Sequence, residues 1–380
     1  LLRLYIYGLI SGLIIMIYCL LSKFFTELFN FRGIMYGNIL EKILEVNMKL
    51  GVHDLMLKPR GMSNQDFFKD TKKLVHTLDE LGYDRYWFAE HHGYESLLAV
   101  APEVLASYFL SDTKNIKVGA GGCMVMHYSP LKVAENFKTL AELAPGRVDI
   151  GIGRAPGCGV SETRALNHKF EDKSDDLFDE IEIILDYLAD KKPKDPIYRH
   201  VKAVPTKNES LVSPWMLGST GKAVEKAAEF GLPYSHAKFF LFETPAEVFK
   251  QYRSDFKPSV FAEKPYISMS YKILINEDKE KLDYLAKSFE YFHIQQTKGD
   301  WSGILDPEEL KDYHFSLNEQ AVLKKAYDQR FLLKGNKQEI ADILEDEIET
   351  FYLDEILSFM PIYGIENRIN SYNLLKEIFD

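Results

Sequence analysis

Short apolar runs rich in β-branched and aromatic residues alternate with longer stretches of helical period along most of this chain. Residues 49–56, 85–89, 116–119 and 147–152 read as strands, and residues 64–81, 102–111, 131–143 and 172–189 read as helices. Four such alternations in one half predict a parallel sheet with helical crossovers. The second half continues less regularly, with strands at 214–217, 233–236, 266–275 and 351–359 and helical patterns at 222–230, 245–256, 338–347 and 366–379. Eight strands result, the sixth of them short. An eightfold βα unit takes roughly 250 residues and more with insertions. The pattern therefore predicts one main α/β domain over residues 48–380, a (β/α)8 TIM-type barrel. Segments 191–213 and 276–335 are charged or contain proline and stand as insertions, the second long enough for helices of its own.

Residues 1–47 break the pattern, because positions 4–21 are apolar almost without interruption and have about the length that spans a bilayer. Met48 stands directly before the first strand. Leu44-Glu-Val-Asn47 can be back-translated as TTG GAG GTG AAT, a purine-rich ribosome-binding sequence just upstream of the Met48 codon. The expectation is a leader made by reading upstream DNA in frame, with a membrane anchor as the alternative. No small-residue cleavage site follows, which disfavours a secretory signal.

Composition narrows the class. A net charge of −11 argues against a general nucleic-acid binder, whose phosphate contacts need a basic face. Cys19, Cys123 and Cys158 are too few and scattered for a disulfide framework, so the expected compartment is a reducing cytoplasm. No short repeat suggests a solenoid.

Chemistry gathers at the ends of the predicted strands, in Trp87-Phe-Ala-Glu-His-His92, Gly119-Ala-Gly-Gly122 and Gly151-Ile-Gly-Arg154. That is where βα barrels carry their sites. His91 and His92 are neighbours on an extended segment and point to opposite faces, which disfavours one shared metal. Either His91 does proton chemistry near neutral pH, or it and Glu90 only fix the strand end. The Gly119–Gly122 run lacks the spacing and the downstream acid of a dinucleotide loop. It reads either as a close approach of backbone to a flat ligand or as a plain turn. Arg154 offers a forked cation for an anion, or a surface ion pair. Gly218, Ser219, Thr220 and Gly221 follow the fifth strand and open a helix, as an anion site or merely a helix cap. Asp54 either faces the pocket or organises its loop, and His127 and Tyr128 either meet substrate or shape theirs. Cys158 has no neighbouring base in sequence and reads as a bystander thiol.

Residues 81–92 (Leu-Gly-Tyr-Asp-Arg-Tyr-Trp-Phe-Ala-Glu-His-His), 127–135 (His-Tyr-Ser-Pro-Leu-Lys-Val-Ala-Glu), 144–157 (Ala-Pro-Gly-Arg-Val-Asp-Ile-Gly-Ile-Gly-Arg-Ala-Pro-Gly) and 217–221 (Leu-Gly-Ser-Thr-Gly) together resemble the bacterial luciferase-like flavin monooxygenases. The similarity runs from about Met48 to the C-terminus, with all four motifs in order and in register. The resemblance implies a TIM-type barrel that takes reduced FMN from a separate flavin reductase and activates O2 to transfer one oxygen atom to a small organic substrate. Some relatives use a deazaflavin, and some bind flavin without known turnover. It further implies His91 as the catalytic imidazole and Gly121 and Gly122 behind the flavin ring, often joined by a non-prolyl cis peptide. Arg154 would then meet the phosphate with Gly218, Ser219, Thr220 and Gly221. A homodimer is left open, light emission does not follow, and segment 276–335 is expected to cover the barrel mouth.

Overall fold

A computed structural model describes residues 48–167, 177–219, 221–240 and 245–380. The strands are β1 (Lys49–Asp54), β2 (Arg85–Phe88), β3 (Lys117–Cys123), β4 (Val148–Ile152), β5 (Ser213–Gly218), β6 (Tyr234–Ala237), β7 (Ile267–Ile275), β8 (Leu332–Gly335) and β9 (Glu355–Phe359). The helices are α1 (Asn64–Glu80), α2 (Pro102–Asp112), α3 (Pro130–Leu143), α4 (Val160–Leu166), α5 (Leu177–Leu188), α6 (Gly221–Phe230), α7 (Ala246–Asp255), α8 (Lys279–Thr297), α9 (Leu317–Asp328), α10 (Lys337–Phe351) and α11 (Ile365–Ile378). Strands β1 to β7 and β9 pair in parallel and close on themselves through β6–β7 and β9–β1. The fold is thus an eight-stranded TIM-type barrel.

Four details differ from the sequence expectation. β3 does not stop at Gly119 but runs through the glycines to Cys123, shifting register against β4 between Gly121 and Cys123. Glycine weakens a strand, yet β4 still pairs here through Gly121↔Gly151 and Cys123↔Ile152, and Glu90 N beyond β2 donates to the Gly122 carbonyl at 3.2 Å. Helix α10 extends through Phe351, so the last barrel strand starts only at Glu355. Helix α4 carries no clear apolar period and was not anticipated. Segment 276–335 holds α8 and α9, as its length allows, but also β8, which pairs with the end of β7 outside the closed ring at Lys272–Ile275.

The lumen is filled by side chains of alternate strand positions. At its base Arg85 on β2 donates through Nε to Glu355 on β9 at 2.6 Å, and through a terminal nitrogen to Asp149 on β4. Trp87 Nε1 donates to Asp149 at 2.9 Å and Tyr266 Oη to Glu355 at 3.1 Å. The guanidinium also lies 4.4 Å from the Trp215 ring centroid. Burial opposes charge on Arg85, but the two carboxylates outweigh it and drive its pKa further up. Gly51 is required beside this group, since a Cβ there would lie 2.6 Å from Arg85 Cγ and 2.4 Å from a Leu357 methyl. Trp87, Trp215 and Leu357 form the apolar layer next to it.

Among the described residues, no helix is long and apolar enough to cross a membrane. The leader expectation for residues 1–47 falls outside the described residues.

Arg85→Met should destabilise the barrel by about 3–5 kcal/mol, because it strands two buried carboxylates without their cation. Urea denaturation at pH 7 measures this, and a loss below about 1 kcal/mol would show that the network does not hold the barrel base.

Candidate active site

Past the end of β2 the chain runs over the C-terminal rim of the barrel, and its polar groups divide their tasks. Glu90 is fully buried and accepts hydrogen bonds from Met124 N at 2.8 Å, Tyr128 Oη at 2.6 Å and His92 Nε2 at 2.8 Å. It therefore locks the loop after β3 to the end of β2. His91 turns instead into a cavity of about 220 Å³ at the barrel mouth. Its Nδ1 donates to the Ala89 carbonyl at 3.0 Å, which leaves the lone pair of the neutral ring on Nε2. Burial lowers its pKa, countered by that carbonyl and by Glu90.

The same cavity is lined by Gly121, Gly122, Arg154, Gly218 and Ser219. The Gly121–Gly122 peptide is cis. A Cβ on Gly121 would stand 2.7 Å from Trp87, so packing against the indole requires glycine there. Arg154 sits two residues beyond β4 and stacks on Phe178 of α5, 5.0 Å from its ring centroid. Among the described residues no carboxylate forms an ion pair with it. Lys222 and Lys226 of α6 approach the same ring at 5.6 and 5.7 Å, giving this end of the cavity a positive surround. Gly221 starts α6 beside the cavity rather than lining it, and Thr220 lies outside the described residues.

The mouth above is apolar. Leu55, Ala89, Phe239 and Phe359 from the barrel pack with Phe292 and Ile304 of segment 276–335, and Trp301 lies against them. The Trp301 and His91 ring centroids are 6.1 Å apart.

Sequence reading missed His53. It lines the cavity with only 4 % of its surface exposed, its Nε2 hydrogen-bonded to the Gly121 carbonyl and its Nδ1 3.0 Å from Ser270 Oγ. A carbonyl only accepts, so Nε2 carries the proton and Nδ1 accepts from the serine hydroxyl. Burial lowers its pKa to about 4, so the ring is neutral at pH 7. The signal lay in the alternation of β1, which sends His53 inward and Asp54 outward. Asp54 accepts from Met56 N at 2.8 Å, from Arg368 at 3.2 Å and from Tyr86 Oη, so it organises its loop. Phe239 and Phe240 also line the cavity and carried no sequence signal, being an apolar pair in a loop.

Two loop residues settle likewise. His127 Nε2 donates to the Pro156 carbonyl at 2.7 Å, and Tyr128 serves Glu90, so both shape loops. Cys158 does have a neighbouring imidazole, contrary to the sequence reading, with Sγ 3.8 Å from His127 Nε2. That nitrogen is already donating, so it does not act as a base toward the thiol.

Comparison with known proteins agrees with the barrel fold. The sequence model of a family described as luciferase-like monooxygenase matches residues 48–354. The luciferase-like monooxygenase of Escherichia coli K12 is 30% identical over 325 residues, covering 86% of this chain and 95% of that protein. The N-acetyl-S-alkylcysteine monooxygenase of Bacillus subtilis is 28% identical over 336 residues, covering 87% of this chain and 98% of the relative. The crystal structure of apo-MsnO8 superposes with a TM-score of 0.75 at 27% identity, covering 87% of this chain and 97% of that one.

A pH dependence follows from the buried imidazole. With a folded pKa of about 4 against about 6.5 in the unfolded chain, His53 contributes stability that is complete above pH 6.5 and lost as pH falls toward 4. Between pH 7 and pH 5 this share amounts to about 2 kcal/mol. His53→Gln should lose correspondingly less stability over that interval than the parent, read from urea midpoints at both pH values. Equal losses would show that His53 is not held neutral by the fold.

Proposed function

The chain belongs to the luciferase-like monooxygenase family, and on that premise we propose that it is an FMN-dependent monooxygenase acting on a small, uncharged organic substrate. The observation that carries this reading is the convergence of His91, the Gly121–Gly122 backbone, Arg154 and the Gly218–Ser219 turn on one cavity. The cavity has one cationic end and otherwise apolar walls, including Ala89, Leu217 and Ala237, which fits a flat ring joined to a single phosphate. When bound, reduced FMN supplies the electrons that activate O2, one oxygen atom passing to the substrate and the other to water.

The protein's contribution is binding, orientation and control of water and protons. Arg154 would hold the phosphate with its planar fork, already braced by Phe178. The backbone of Gly218 and Ser219, with Gly221 opening α6, would supply N–H groups to the same anion. Gly121 and Gly122 would form the wall against the ring. His91 presents Nε2 to the reacting region and moves the proton there, while its Nδ1 stays fixed on Ala89. Phe239, Phe292 and Trp301 keep water out of the mouth. Among the described residues the walls left to the substrate contain no acid, which favours an uncharged reacting portion.

Reduced FMN delivered by a separate reductase, with O2 and a metabolite extract, should yield products that have gained one oxygen by mass spectrometry. Support of turnover by a reduced deazaflavin and not by FMN would overturn the cofactor assignment. Arg154→Ala should weaken FMN binding by about 2 kcal/mol and riboflavin binding much less. Equal losses would make Arg154 a fold residue.

His91→Ala should leave reduced FMN bound and slow product formation about 10²–10⁴-fold, with more hydrogen peroxide released per FMN oxidised. Unchanged turnover with a true substrate would remove His91 from the chemistry.

A further inference from the structure

A second and larger cavity, of about 460 Å³, lies between the end of α5 and the loop that leads into β5. That loop enters the strand from its N-terminal end, so the cavity belongs to the opposite end of the barrel from the candidate active site. Lys191, Lys192, Arg199, Lys202 and Lys207 line it, together with His200. The single acid among its lining residues, Asp190, is already engaged by buried Lys138 Nζ at 2.5 Å and by Lys207 N at 2.8 Å. Among the described residues none of the five lining cations forms an ion pair with a carboxylate. This crowding occurs in a chain with 57 acidic and 46 basic residues, where partners are plentiful. Five cations gathered around one acid repel one another, and a bound polyanion relieves that repulsion.

The walls are built rather than loose. Tyr187 Oη donates to the Tyr198 carbonyl at 3.0 Å, and Asn208 Nδ2 to the Lys138 carbonyl at 2.8 Å, which hold the two ends of the loop to α5 and α3. Arg199 Nε donates to His200 Nε2 at 3.1 Å. Tyr187, Val201 and Ala203 supply apolar wall between the cations. We propose that this cavity is a binding site for a small metabolite carrying two or more phosphate groups on an organic body, of which a nucleoside di- or triphosphate is the fitting class. Several cations accommodate linked phosphates, and the volume and apolar wall leave room for more than inorganic phosphate.

Calorimetry on the full chain with ATP, pyrophosphate and adenosine at low and at physiological salt tests the site. ATP should bind one per chain, pyrophosphate more weakly and adenosine not measurably, with affinity falling as salt rises. The double variant Lys191→Ser, Arg199→Ser should weaken ATP binding tenfold or more, whereas Arg154→Ala at the other end of the barrel should not. The variant's unchanged thermal melting in the absence of ligand separates lost binding from lost fold. Should melting change, Arg199→Lys takes its place, with threefold or greater weakening expected because the planar fork is lost. ATP binding that resists these substitutions, that is lost in Arg154→Ala, or that is absent at millimolar ligand would overturn the proposal. So would binding of polyglutamate in preference to ATP, which would mark a docking face for an acidic protein.

Discussion

The buried fork of Arg85 between Asp149 and Glu355 is the constraint around which the barrel is arranged. One guanidinium joins β2, β4 and β9, which are not neighbours in the sheet, across the lumen they enclose. Charged groups removed from water are costly unless paired and hydrogen-bonded, and Trp87 and Tyr266 add donors to the two carboxylates, while Asp149 Oδ1 has no partner among the described residues. The bulk of this group dictates the absence of a side chain at Gly51 and the placing of Trp87 and Trp215 over it as an aromatic layer. The lumen is then full at its base and middle. The cavity at the barrel mouth lies above Trp87, where β3 turns through Gly121 and Gly122.

Polar satisfaction also explains which residues at the rim are available for chemistry. Glu90 would be costly if buried alone, and its three donors remove it from reactivity while fixing two loops. His92, Tyr128 and His127 are consumed in the same way. His91 keeps a ring nitrogen directed at the cavity because its other nitrogen is held by a backbone carbonyl. His53 sits in the same cavity but is neutral, with both nitrogens occupied, so it orders the wall at Gly121 and does not compete for protons.

Much of this was legible in the chain. Apolar runs buried on both faces mark strands of a parallel barrel, and all eight strands of the closed ring were located, although the ends of β3 and β9 shifted. The motif residues at strand ends were legible because their types are unusual there. What escaped depended on three dimensions. His53 becomes a cavity residue only once β1 is rolled into the barrel, and beside the more conspicuous Asp54 it drew no notice. Strand β8 is four residues in a charged segment, and its pairing with β7 has no local signature. The cationic cavity before β5 is spread over a loop whose lysines, read in sequence, resemble any solvated surface.

Segment 276–335 shows how a cover can be part of the barrel. On one side β8 extends the ladder of β7. On the other, Arg60 N donates to the Ile304 carbonyl at 2.8 Å, Lys58 N to the Ser96 carbonyl at 2.8 Å, and Ser96 Oγ to the Trp301 carbonyl. Beneath, Lys272 of β7 meets His293 of α8 at 3.0 Å, its pKa lowered to about 7 by burial, so that no full charge need be held under the apolar mouth near neutral pH. Phe292 and Trp301 are thereby held against the apolar cluster of Leu55, Phe239 and Phe359 from three directions. The seating of segment 276–335 on the barrel is accordingly a property of the packed fold, achieved by pairing a strand with the end of β7 and draping two helices around it.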